Sequence, residues 1–190
     1  MRIPVIFAHP VETSHDAAST ARILAALAPR HGVDPYAERF DPVTSRAERP
    51  GYRQTPDNRG PVEPYVPRLM QAEAPVFCCP AWSFRPPAAL KGWLDRVMLP
   101  GVSFHIQPDR RVRENLTHPR ELAGRVTHGQ TRWRAFLIGD CPRRIVRRYL
   151  RRNIGRHGPA LFLAQHPMNA STDATRRRFP DRVAAAMARF

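Results

Sequence analysis

A chain of 190 residues can bury one sizeable core, since domains commonly run to roughly 100–200 residues, and one domain over residues 1–190 is expected. A composition of 42% hydrophobic and 25% charged residues excludes a disordered or fibrous chain, while 21 prolines announce many turns. The formal charge of +15 would ordinarily point to a polyanion, but Lys91 is the only lysine, so the charge is almost all arginine and fits the coding bias of a GC-rich genome; no nucleic-acid partner is expected.

Three cysteines, Cys78, Cys79 and Cys141, give neither a disulfide framework nor metal-ligand spacing, which suits a reducing cytoplasm and predicts no metal. The start, MRIPVIFAHP, has too short an apolar run for a signal sequence. No later stretch approaches the roughly 20 apolar residues of a membrane span.

Residues 2–8 read as a buried strand stopped by His9-Pro10. From Asp16 to Leu27, Ala18, Ala21, Ile23, Leu24 and Leu27 recur at helical spacing, with Thr13 and Ser14 as caps before them and Gly32 after. Val33–Tyr36 is a weak second strand, and Asp41–Pro64 reads as loop with at most one helical turn. A short helix over residues 65–72 leads into a third strand, Ala74–Cys79, closed by Pro80.

Pro87 then opens a helix to Met98 with Leu90, Trp93, Leu94 and Val97 on one face. Between Gly101 and Gln130 only Leu122–Thr127 reads as a strand. After Pro142, RRIVRRYLRR places Ile145, Val146, Tyr149 and Leu150 on one helix face opposite arginines. Such a face also suits a membrane surface or nucleic acid, but packing on a sheet is the simpler reading. Ala160–Ala164 is a last strand and Thr172–Phe190 a last helix. Alternating strands and helices predict a parallel sheet covered on both faces, with a ligand outside the carboxyl ends of its strands.

The segment AHPVETSHD, between the first strand and first helix, offers free backbone N–H groups at the positive end of a helix dipole. A phosphate fits there, although a Thr-Ser pair before a helix is more often a cap.

Three stretches resemble the NAD(P)H:quinone oxidoreductase family of flavodoxin-like proteins: AHP…TSHD, then DPYAERFDPV at Asp34–Val43, then CPAWSFRPPAALKGWLDRVMLPGVSF at Cys79–Phe104. Within the third, LKGWLDRV at Leu90–Val97 is the most specific. VTHGQTRW at Val126–Trp133 is similar to the family's Thr-Thr-Tyr-Gly loop, and Gly139–Arg152 resembles a Gly-Asp-Pro-Pro-Arg-Arg helix of one subgroup. The likeness covers nearly the whole chain, least so Arg110–Gly124.

The resemblance implies an α/β flavodoxin-like three-layer sandwich with a five-stranded parallel sheet ordered 2-1-3-4-5. It implies FMN, with FAD as the alternative, and NAD(P)H as co-substrate. His9, Thr13, Ser14, His15 and Asp16 correspond to the flavin phosphate loop. Pro80, Ala81, Trp82, Ser83 and Phe84 match a loop at one ring edge, and Thr127, His128, Gly129 and Gln130 the loop on the other side.

By the same resemblance, hydride passes from NAD(P)H to the flavin and then to a quinone or similar acceptor, a two-electron ping-pong reaction, in a cytoplasmic homodimer. His128 is the candidate for a positive group stabilising reduced flavin, the one catalytic assignment. The alternative is a flavin-binding regulatory subunit with weak or no catalysis. It draws on departures at the site itself: Ser83 for a second tryptophan, Arg85-Pro86 for Gly-Met, and Asp16 for an asparagine, where an anion beside a phosphate is unfavourable unless it faces away. Arg85 could pair with a nucleotide phosphate or simply meet solvent.

Overall fold

The structure, a computed structural model, describes residues 2–27, 30–154 and 158–189. Its main sheet has five parallel strands, β1 (Ile3–Phe7), β2 (Arg30–Val33), β3 (Val76–Ala81), β6 (Leu122–His128) and β7 (Ala160–Gln165), in the order β2-β1-β3-β6-β7. Counting only the strands of this sheet, that is the expected 2-1-3-4-5. A separate antiparallel ribbon, β4 (Phe104–Ile106) with β5 (Val112–Glu114), forms in a stretch where no strand was read.

Alternation along the strands divides the core. Ile3, Val5, Val76, Cys78 and Ala123 pack with Ile23 of α1 (His15–Ala26), with Leu27 just past its end, and with Phe179, Val183 and Met187 of α8 (Asp173–Met187). Ile6, Phe77, Cys79 and Val126 face the other way, against Leu90, Trp93, Leu94 and Val97 of α4 (Ala88–Val97) and against Val146 and Leu150. Burial pushes the Cys78 thiol up to about 11 and Cys79 higher still, so both are inert core residues.

The sequence motif around α4 has a packing reason. A Cβ on Gly92 would stand 2.2 Å from the Pro42 carbonyl oxygen, so only glycine lets the 41–43 segment lie on the helix. Arg96 of the same helix donates to the Asp41 carbonyl and to Glu48, at the start of α2 (Glu48–Gly51). Two of the hallmark stretches therefore clamp each other.

Several boundaries differ from expectation. The second strand ends where it was expected to begin, because Asp34 Oδ1 accepts from the N–H groups of Tyr36 and Ala37 at 2.9 and 3.1 Å and turns the chain out of the sheet. Gly32 lies within β2, and α1 instead ends on Leu27 in extended conformation. The 41–64 segment holds α2 and a 3-10 helix over Asp57–Val62, and α3 spans Val66–Met70.

After α5 (Arg132–Leu137) and α6 (Cys141–Arg144), Ile145–Leu150 is π-helical and α7 (Arg151–Asn153) continues it. The wider turn leaves Tyr149 43% exposed while Val146 and Leu150 are buried, which corrects the face expected for Tyr149. The last helix begins behind its Thr172 cap, and Phe190 lies outside the described residues. Among the described residues no helix is long and apolar enough to cross a membrane.

Candidate functional site

Every loop that follows β1, β3, β6 and β7 opens at the carboxyl end of the sheet, where open parallel sheets bind ligands. Contacts between the loops gather them there. The His9 ring meets Trp82 edge-on at 5.9 Å, joining the first loop to the third strand's. His15 Nε2 lies 2.8 Å from Gln165 Oε1, tying the start of α1 to the end of β7. Met168 N–H donates to the His128 carbonyl at 2.8 Å and Asn169 N–H to that of Gly129 at 3.3 Å.

The expected phosphate loop ends in a cap. Ser14 Oγ accepts from Ala17 N–H at 3.1 Å, leaving its own proton free for a ligand. The other first-turn N–H groups of α1, those of His15 and Asp16, have no intrahelical acceptor. Thr13 is exposed and His9 half-buried, its Nδ1 accepting from Val11 N–H at 3.0 Å.

Asp16 does not face a phosphate with its side chain. Its carboxylate is buried, accepting from the Arg125 guanidinium and from Thr127 Oγ1 at 2.8 Å, and Arg125 lies over the Phe179 ring. The anion that departs from the family pattern is thus neutralised by an arginine on β6. Thr127, read as part of a flavin loop, spends its hydroxyl on the same carboxylate.

The third-strand loop is a tight two-residue turn. Trp82 and Arg85 exchange backbone hydrogen bonds of 2.9 and 2.8 Å, and both residues between them are left-handed, Ser83 at φ 48° and Phe84 at φ 61°. This is the geometry that hairpin turns usually give to Asn-Gly, so a bulky Phe84 is held there at a cost of about 1–2 kcal/mol. Strain of this kind gathers at functional sites. Trp82 is 44% exposed at the mouth.

Ala81, Ser83 and Phe84 from this loop, with His128, Gly129 and Gln130 from the loop after β6, line one open cleft of about 170 Å³. A Cβ on Gly129 would come within 3.0 Å of Asn169 Oδ1, so glycine lets the two neighbouring loops close on each other. Pro80 lies buried at the end of β3.

His128 is 1% exposed, and its ring stacks on that of His166 at 4.2 Å. Burial and the second imidazole push its pKa down to about 4 despite Asp140, whose Oδ1 stands 3.9 Å from Nε2. At neutral pH that pKa leaves the ring uncharged. His166, shifted down by the same burial, contacts the Gln130 carbonyl at 3.2 Å.

Sequence reasoning assigned no site role to Gln165 at the end of β7, to His166 and Asn169 in the β7–α8 loop, or to Arg125. A lone arginine inside the apolar strand LAGRVTH was the available signal, since a buried charge needs a partner.

The family model described as flavodoxin-like fold matches residues 1–134. The uncharacterized NAD(P)H oxidoreductase YcaK of Escherichia coli (strain K12) is 30% identical over 124 residues, covering 59% of this chain and 61% of that relative. Among solved structures, the NAD(P)H:quinone oxidoreductase of Methanothermobacter marburgensis superposes with a TM-score of 0.80 at 21% identity, covering 99% of this chain and 98% of that one. An FMN-dependent NADH-azoreductase of Bacillus anthracis (strain Ames Ancestor), in complex with FMN, gives 0.78 at 13% identity, again covering 99% and 98%. At such identities the structural likenesses speak for the fold.

Proposed function

The chain belongs to the flavodoxin-like fold family, and from that premise we propose that it is an FMN-dependent NAD(P)H oxidoreductase acting on quinones or similar two-electron acceptors. One observation carries the reading: the two loops matched to the edges of a flavin ring line a single cleft, beside a helix N-terminus able to take a phosphate. The names of the similar proteins, an NAD(P)H oxidoreductase, a quinone oxidoreductase and an FMN-dependent azoreductase, support it.

The residues fit the cofactor. Pockets that engulf a drug-sized ligand run to about 300–1,000 Å³, so a cleft of about 170 Å³ holds a ring edge and leaves the rest of the molecule to the β1–α1 loop. There the Ser14 hydroxyl and the first-turn N–H groups of α1 would take the phosphate, while the inward Asp16, paired with Arg125, adds no repulsion. When bound, FMN supplies the two-electron chemistry.

The chain's own part is to hold and shield. Phe84 and Ala81 give one side of the cleft an apolar lining, and the neutral His128 ring keeps an N–H and a lone pair for hydrogen bonding. The open side admits donor and acceptor in turn, which supports ping-pong exchange.

A homodimer belongs to the same reading. Trp133, Phe136, Leu137 and Ile138, next in the chain after the cleft loop, are each more than half exposed and form an apolar patch. Light scattering tests this part directly, with one chain per particle as the contrary result.

The activity is tested by steady-state kinetics of the FMN-loaded protein with varied NAD(P)H and varied quinone. Parallel double-reciprocal lines are expected. Intersecting lines would replace ping-pong with a ternary complex, and retained FMN without turnover would support the regulatory alternative.

A further inference from the structure

The cleft presents donors and no acid. Its lining, Ala81, Ser83, Phe84, His128, Gly129 and Gln130, holds no carboxylate. The carbonyl oxygens of the 128–130 loop are already engaged by neighbours: that of His128 by Met168 N–H, that of Gly129 by Asn169 N–H and that of Gln130 by His166 Nδ1 at 3.2 Å. Asp140 meets His128 with a buried Oδ1, 3.9 Å from Nε2.

Gln130 fixes a cation at the rim. Its Oε1 accepts from Arg134 Nη1 at 2.8 Å, which leaves the Gln130 amide N–H groups and the rest of the exposed guanidinium to a ligand. The two residues stand on either side of the Thr131 cap of α5, so local structure holds the pair together. On the side of the turn, Arg85 follows Phe84 and is exposed. Among the described residues neither arginine has an acidic partner.

Beside this charge the cleft is aromatic. Phe84 in the lining and Trp82, exposed at the mouth, offer faces for a planar ring. A ligand that matches both features carries an aromatic ring and a negative substituent. A protonated amine on the same ring would meet guanidinium groups and no counter-ion.

We propose that the cleft selects acceptors bearing an anionic substituent, a carboxylate or sulfonate on the quinone ring, and that Arg134 is the residue that pairs with it. This rests on the oxidoreductase reading above and names its substrate class. The phosphates of NAD(P)H carry similar charge, and the test separates the two sources.

The FMN-loaded protein is titrated calorimetrically with 2-naphthoate and with its neutral isostere 2-naphthamide. The expected preference for the anion is about fivefold to tenfold, between an exposed ion pair and a charge-assisted hydrogen bond. Arg134→Gln removes most of that preference and Arg85→Gln a smaller part. Arg148→Gln, which deletes the same charge at an exposed position outside the cleft lining, keeps it. In kinetics, kcat/KM for 1,4-naphthoquinone-2-sulfonate, relative to that for 1,4-naphthoquinone, falls in Arg134→Gln by a similar factor.

Equal binding of the two probes overturns the proposal. So does a preference that Arg148→Gln lowers as much as Arg134→Gln, which would assign it to the net charge of +15. A fall in Arg134→Gln confined to kcat/KM for NAD(P)H also overturns it, by giving the arginine to the nucleotide phosphates. If naphthoate is preferred while no quinone is reduced, the anion site stands and the oxidoreductase reading falls. If quinones are reduced and the two probes bind alike, the reverse holds.

Discussion

Strand β6 buries two kinds of titratable group a few residues apart and treats them in opposite ways. Arg125 and Thr127 point towards α1 and α8, where Asp16 meets them, so a charge is kept inside the protein by pairing it. His128, on the other face, has both ring nitrogens unpartnered among the described residues and remains inside by losing its charge. The first arrangement anchors the start of α1, and the second gives the cleft an uncharged wall. A departure from the family at Asp16 is thereby absorbed without placing an anion in the phosphate loop.

The largest expected effect breaks the paired side. Arg125→Met leaves Asp16 buried with only the Thr127 hydroxyl and should cost about 3–5 kcal/mol in urea unfolding, while Asp16→Asn in the same chain should recover most of it. An additive double variant would show that the two residues do not act as a pair.

Next comes the clamp away from the site. Gly92→Ala drives a methyl into the Pro42 carbonyl and should cost about 1–3 kcal/mol without changing FMN affinity. A loss of FMN affinity would instead couple the clamp to the cleft.

The neutral side is sharpened by acid. Because the folded His128 pKa, about 4, lies below the ordinary 6.5, the unfolded chain takes up this proton first. Its contribution to stability is complete above about pH 6.5 and is lost as the pH falls towards 4. His128→Asn should therefore flatten the fall of Tm between pH 7 and pH 5, and an unchanged slope would assign the fall to other groups.

The smallest effect concerns the strained turn. Ser83→Asn, at an exposed left-handed position, should gain about 0.5 kcal/mol. A loss there would mean that the Ser83 hydroxyl makes a contact of its own.

Much of this was legible in the chain because local rules and tertiary packing agree. The first strand, the α4 motif and the strand at Leu122 each carry a periodic signal that the fold preserves. The displaced second strand was not legible, since an Asx turn at Asp34 outweighs the β propensity of Val33–Tyr36. The ribbon at Phe104–Glu114 was missed because its strands are short and mostly exposed, leaving little alternation to read. At the site, the cleft loops were found by motif, but the inward turn of Asp16 and the neutrality of His128 depend on partners 109 residues away and on the adjoining loop, beyond any local pattern.

The most direct test of the central claim is a single anaerobic turnover. The FMN-loaded protein is mixed with one equivalent of NADPH, its visible flavin absorbance is followed, and a quinone is then added. The account predicts bleaching with the first addition and full recovery with the second. Absorbance that stays unchanged on adding NADPH, with FMN still bound, would contradict it.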